Sequence, residues 1–175
     1  MNRQRTSCRY ACEVGRMPSP ALLDIKGAGP EIAGRLAELG LVIPQRSRFS
    51  TAGDLHLVLP RATHGLLRAP LARRTELLER LNRPPTGPDT LIIDLTEAWA
   101  WFSIQGPESN EVMAVICPLD LDPSSMAVDG ATFTEVVGIK ALLWRMGNGF
   151  EWAVERSHAH WMADWLARVQ SPDAH

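Results

Sequence analysis

The 175 residues are enough to bury a real core, either in one domain or in two small, closely packed halves. With 45% apolar and 22% charged residues and a net charge of -2, the composition is that of an ordinary globular protein and supplies no field for nucleic acid or an anionic membrane. Three cysteines, no apolar run near the roughly 20 residues of a membrane span, and an N-terminus without the apolar stretch of a secretory signal together lead us to expect a cytoplasmic protein.

Residues 1–20 read as an arm, with Arg3, Arg5, Arg9 and Arg16, little periodicity and a closing Pro18-Ser19-Pro20. A loose tail, an extension that wraps a partner subunit and a nucleic-acid contact are the readings open to it. Four arginines with no basic domain behind them argue weakly for the last. "ALLDIKG" (21–27) reads as a buried strand with one charged break at Asp24. "GPEIAGRLAELG" (29–40) reads as a helix: Pro30 suits the first position, Glu31 the positive end of the dipole, and Gly40 a C-terminal cap. A loop follows through Pro44 and Arg48, then the strand "DLHLVLP" (54–60), with which "HGLLRAP" (64–70) can pair. "ARRTELLERLNR" (72–83) is an amphipathic helix with Leu77, Leu78 and Leu81 inward, and "PPTGP" (84–88) is a stiff connector.

The order then repeats. "TLIIDL" and "AWAWFSI" are strands, "PESNEVMAVI" is a helix opening with Pro107 and Glu108, and "CPLDLDP" (117–123) leaves it. "TFTEVVGIKALLWRM" holds one long strand or two short ones, and "GNG" (147–149) is a hairpin turn. "FEWAVER" alternates, with Phe150, Trp152 and Val154 on one side and Glu151 and Glu155 on the other, and a last helix stacks Trp161, Trp165 and Val169. Gly27 and Gly106 lie 79 residues apart, as do Pro44 and Pro123, while the helix starts Pro30 and Pro107 lie 77 apart, which marks a degenerate duplication. The expected architecture is α+β: two similar strand-helix-strand-strand-helix units, 21–83 and 89–170, packed as one pseudo-twofold domain, with an arm over 1–20 and a tail over 171–175.

Chemistry-bearing constellations are sparse. His158 and His160 lack a third ligand at useful spacing and sit where Ser157 is placed to cap the last helix. Cys8 and Cys12 form no zinc or iron–sulfur signature, and Cys117 reads as a small core residue. Asp120, Asp122 and Asp129 suit turns and caps, and Asp94 either orients a ligand amine or starts a turn. "DIKGAGP" lacks both the third glycine of a dinucleotide loop and the Gly-Lys-Ser/Thr of a phosphate loop. All six tryptophans fall in the second half, with Trp99, Trp101 and Ser103 on one strand face and Trp144 placed across the hairpin from Trp152. That is more ring surface than about 85 residues usually hide. Partner-interface candidates are therefore Arg9, Arg16, Trp99, Trp101, Trp144 and Trp161.

"DLTEAWAWFSIQGP", the "CPLDLDP" exit and the "LLWR…FEWAVERSHAHWMADWL" ending resemble the gamma subunit of heterotetrameric sarcosine oxidase and, more broadly, the folate-binding domain of aminomethyltransferases, the glycine-cleavage T-protein; "LLDIKGAGP" through "LLERL" fits the earlier repeat more loosely. The resemblance covers roughly 20–170 and implies a folate-binding-domain-like fold. It also implies a flavin-dependent complex that oxidatively demethylates an amine and passes the one-carbon unit to tetrahydrofolate. FAD, FMN, NAD, tetrahydrofolate and zinc would sit in alpha, beta and delta partner subunits. No catalytic, cofactor-binding or metal-binding residue is expected in this chain. The alternative is a stand-alone folate-binding or one-carbon-transfer protein with a pocket lined by tryptophan and a carboxylate such as Asp94.

Overall fold

A computed structural model describes residues 10–27, 30–61, 63–83 and 90–170; Cys8, Arg9, the 84–88 connector and the 171–175 tail lie outside them. The chain divides into two compact units. One comprises Ser19–Trp99 with Asp129–Thr132, and the other the described parts of Met1–Pro18, Ala100–Val128 and Phe133–His175.

The first unit holds β2 (Ala21–Lys26), α1 (Pro30–Glu38), β3 (Phe49–Ala52), β4 (Leu55–Arg61), β5 (His64–Ala69), a 3₁₀ turn (Leu71–Arg73), α2 (Arg74–Leu81) and β6 (Leu91–Asp94). Its sheet runs β3-β4-β5-β2-β6, with every neighbouring pair antiparallel. Residues at alternate positions of a strand face opposite ways. Ala21, Leu23 and Ile25 of β2 accordingly join Leu55, Leu57 and Leu67 under Ile32 and Leu36 of α1 and Leu77 and Leu81 of α2. Gly40, at φ +78°, ends α1 with its N–H donating to the Ala37 carbonyl, the cap its position foretold.

The second unit holds β1 (Glu13–Met17), β7 (Trp99–Gln105, whose first residue lies in the other unit), α3 (Ser109–Ile116), β8 (Ala131–Val136, whose first two residues lie in the other unit), β9 (Ile139–Met146), β10 (Gly149–Glu155), a 3₁₀ turn (Arg156–His158) and α4 (Ala159–Gln170). Its sheet runs β1-β7-β10-β9-β8. Set beside the first sheet, the strand order is the same: an edge strand, the strand before the first helix, then the three strands of the meander in reverse. Phe102, Ile104, Leu143, Phe150, Trp152 and Val154 pack under Met113 of α3 and Met162 and Leu166 of α4.

Several elements depart from the sequence reading. Within the stretch set apart as an arm, Glu13–Met17 is a strand, in register with Trp101–Gln105 of β7, and Leu91–Asp94 pairs with Leu23–Lys26 of β2. Each sheet therefore takes its edge strand from outside the repeat that supplies the rest of it. β3 lies where the sequence reading has a loop; the two-residue connection Gly53-Asp54, with Gly53 at φ +62°, closes a β3–β4 hairpin in which Ala52 faces Leu55. The stretch 131–146 is two strands, parted at Val137 and Gly138, both at positive φ. At the last hairpin the positive φ falls on Gly147. Gly149 is needed for a different reason: a Cβ there would run into the backbone of Ile104 and Gln105.

The inward stripe of α4 is Ala159, Met162 and Leu166, with Trp165 packed beside it, so the expected Trp161 face is turned too far outward. Ser157 does not cap that helix, because residues 156–158 form the 3₁₀ turn that leads into it. Trp144 pairs with Glu151 and Leu143 with Trp152, one position away from the expected register. A one-residue shift puts Trp144 and Trp152 on opposite faces.

Replacing Gly149 with Ala forces backbone against backbone and should destabilise the protein by about 1–3 kcal/mol in chemical denaturation. Gly15→Ala, where a Cβ meets open space, should stay within about 0.5 kcal/mol of the parent. Equal effects at the two positions would contradict this packing.

Candidate interaction surface

Several polar groups drawn into the two units are engaged by the fold itself. In the first unit Asp24 lies on the sheet face turned away from the helices, with His64 Nε2 2.5 Å from Oδ1 and Lys26 Nζ 3.5 Å from Oδ2. Thr96 is fully buried, and its hydroxyl accepts the Leu22 N–H at 3.1 Å while its own N–H donates to Asp94 at 3.0 Å. Arg74 Nε donates to the other Asp94 oxygen at 2.5 Å. Burial alone would raise the Asp94 pKa, but the hydrogen bonds from Thr96 and the Arg74 guanidinium outweigh it and hold the carboxyl below its ordinary value. Of the two roles open to Asp94, the structure gives it the turn. His56 moves the same way for different reasons, through burial first and then the nearby Arg68 charge, against a weaker pull from Asp54.

In the second unit Arg145 is only 8% exposed. Its guanidinium donates to the carbonyls of Leu121 (2.6 Å) and Met126 (3.2 Å) and to Asn110 Oδ1 (3.4 Å), and it lies 5.2 Å from the Phe150 ring centre. It thereby pins the loop that leaves α3. Within that loop Asp120 accepts from the Asp122 N–H and the Ser125 hydroxyl, and Asp122 from the Ser124 N–H and hydroxyl, which are turn roles. Those hydrogen bonds lower both carboxyl pKa values. Beside Arg145 a cavity of about 210 Å³ is lined by Gly106, Pro107, Ser109, Asn110, Gly147, Asn148 and Gly149. The Ser109 hydroxyl donates to the Asn148 carbonyl at 3.0 Å. Cys12 and Cys117 are buried, and the Cys117 Sγ is 3.7 Å from the Thr134 hydroxyl. His158 and His160 are exposed. Among the described residues no group of three or more His, Cys, Asp or Glu side chains could hold a metal ion.

The interface candidates separate by burial. Trp101 and Trp144 are buried at 0% exposure, with their rings 5.1 Å apart. The register shift that moved Trp144 away from Trp152 is what brings it onto Trp101. Trp99 is half-buried, and Arg9 lies outside the described residues. Arg16 on β1 and Trp161 on α4 (47% exposed) remain at the surface, on elements that pack against one another. Val115 of α3, at 82% exposure, adds an apolar residue to the helices of the same unit. On the first unit, ion pairs join Arg73 to Asp54 and Glu76, Arg80 to Glu76, and Arg83 to Glu38, and Leu71 of the 3₁₀ turn is 51% exposed. The sequence offered no signal for Arg145 or Thr96, whereas Asp24 stood out as the one charge inside an apolar strand.

The pattern defines a class of protein: two antiparallel sheets of the same strand order, each with two helices. No family profile matches the sequence, and no curated protein matches it either. Among solved structures the chain is similar to one chain of the heterotetrameric sarcosine oxidase from Corynebacterium sp. U-96, determined with pyrrole 2-carboxylate. The TM-score is 0.71 at 21% identity, over 94% of this chain and 88% of that one. It is also similar to glycine cleavage system aminomethyltransferase T from Bartonella henselae, with TM-score 0.64 and 18% identity over 96% of this chain. The match spans 47% of the transferase, about half its length. The fold is thus that of the two families the sequence resembles. No helix among the described residues is long and apolar enough to cross a membrane.

Thr96→Val leaves the buried Leu22 N–H without its acceptor and should cost about 1–3 kcal/mol in denaturant titration, whereas Thr96→Ser should restore most of it. A depressed carboxyl pKa stabilises the folded state above the unfolded value, and the stabilisation is lost as pH falls through the folded value. Stability should therefore fall as pH drops below about 4, and Asp94→Asn should flatten that acid limb. An unchanged acid limb in Asp94→Asn would remove Asp94 from the account.

Proposed function

We propose that this chain is a non-catalytic accessory subunit, of the gamma type, in a heterotetrameric flavin-dependent complex that demethylates an amine such as sarcosine and feeds tetrahydrofolate one-carbon metabolism. The observation that carries the reading is the match in fold to a chain of heterotetrameric sarcosine oxidase over nearly the whole of both chains. In this reading the alpha, beta and delta subunits are its partners and hold FAD, FMN, NAD, tetrahydrofolate and zinc, and the assembly works in the cytoplasm. The engagement of Asp94, Thr96 and Arg145 by backbone and neighbouring side chains supports a structural part for this chain. So does an apolar surplus, Trp161 and Val115, on the helices of one unit.

The second reading, a stand-alone folate-binding or one-carbon-transfer protein, draws on the similarity to aminomethyltransferase T. It needs a pocket lined by tryptophan and a carboxylate such as Asp94. The cavity beside Arg145 is lined by neither, and Asp94 is held by Arg74 and Thr96.

Titration of the isolated chain with tetrahydrofolate separates the two: a saturable rise in Tm favours the second reading, and an unmoved Tm favours the first. Within the first reading, Trp161→Ala should weaken capture of co-expressed large flavin subunits at least about tenfold while leaving the Tm of the isolated chain within a few degrees. Trp101→Ala should do the reverse and lower stability by about 3–5 kcal/mol. Undiminished capture by Trp161→Ala would remove α4 from the interface.

A further inference from the structure

We draw no further inference here: the strongest candidate, the cavity of about 210 Å³ where the Gly106–Asn110 turn meets the Gly147–Gly149 hairpin, carries nothing, because the Arg145 guanidinium beside it is already engaged by Leu121, Met126 and Asn110 and what is left is a helix N-terminus with no second observation that points to a ligand.

Discussion

Both faces of the central strands are withdrawn from water, and the rest of the molecule follows from that constraint. Leu22 and Leu23 point to opposite sides of β2 and are both fully buried, as are Trp101 and Phe102 on β7, Leu142 and Leu143 on β9, and Trp152 and Ala153 on β10. A strand in this position cannot alternate apolar with polar residues. It reads as a near-continuous apolar run, and each polar group it admits must find a partner. Asp24 meets His64 and Lys26, and Arg145 meets two carbonyls and an asparagine. The same constraint hides the tryptophans, since two-sided burial gives a sheet about twice the volume to fill that a one-sided sheet has.

Burial of this kind sets the backbone as well as the side chains. Gly149 sits where β10 runs so close to Ile104 and Gln105 that a side chain has no room, and Gly106, at φ +132°, meets the backbone of Ala11 and Cys12 in the same way. The segment around Cys12 is therefore part of the second unit's core, continuous with β1. The Ala11 N–H donates to the Glu108 carboxylate, which ties the start of this segment to the turn before α3.

Much of the fold was legible in the sequence because its signals are local. Gly40 closing α1, the leucines of α2 and the shared side of Phe150, Trp152 and Val154 on β10 were read directly from spacing and residue type, although Glu151 on the other side is buried as well. The hairpin at Gly147 was legible too, although the residue carrying the positive φ was not. What the sequence hid is non-local. Nothing in "EVGRM" says that its pairing partner lies almost ninety residues on, or that Leu91–Asp94 completes the other sheet. Tryptophan count alone could not separate core from surface either. Trp144 looked like a neighbour of Trp152, and only the hairpin register, set by a two-residue turn, places it on the opposite face against Trp101. Of the interface candidates, Arg16 and Trp161 stayed exposed because β1 is an edge strand and because the inward stripe of α4 runs through Ala159, Met162 and Leu166.

The accessory role proposed for this chain is tested most directly by the native mass and colour of what copurifies with it, tagged, from its own cells. The account predicts a yellow, flavin-bearing assembly several times heavier than the 19.3 kDa chain. A colourless species at the mass of the chain alone would contradict it.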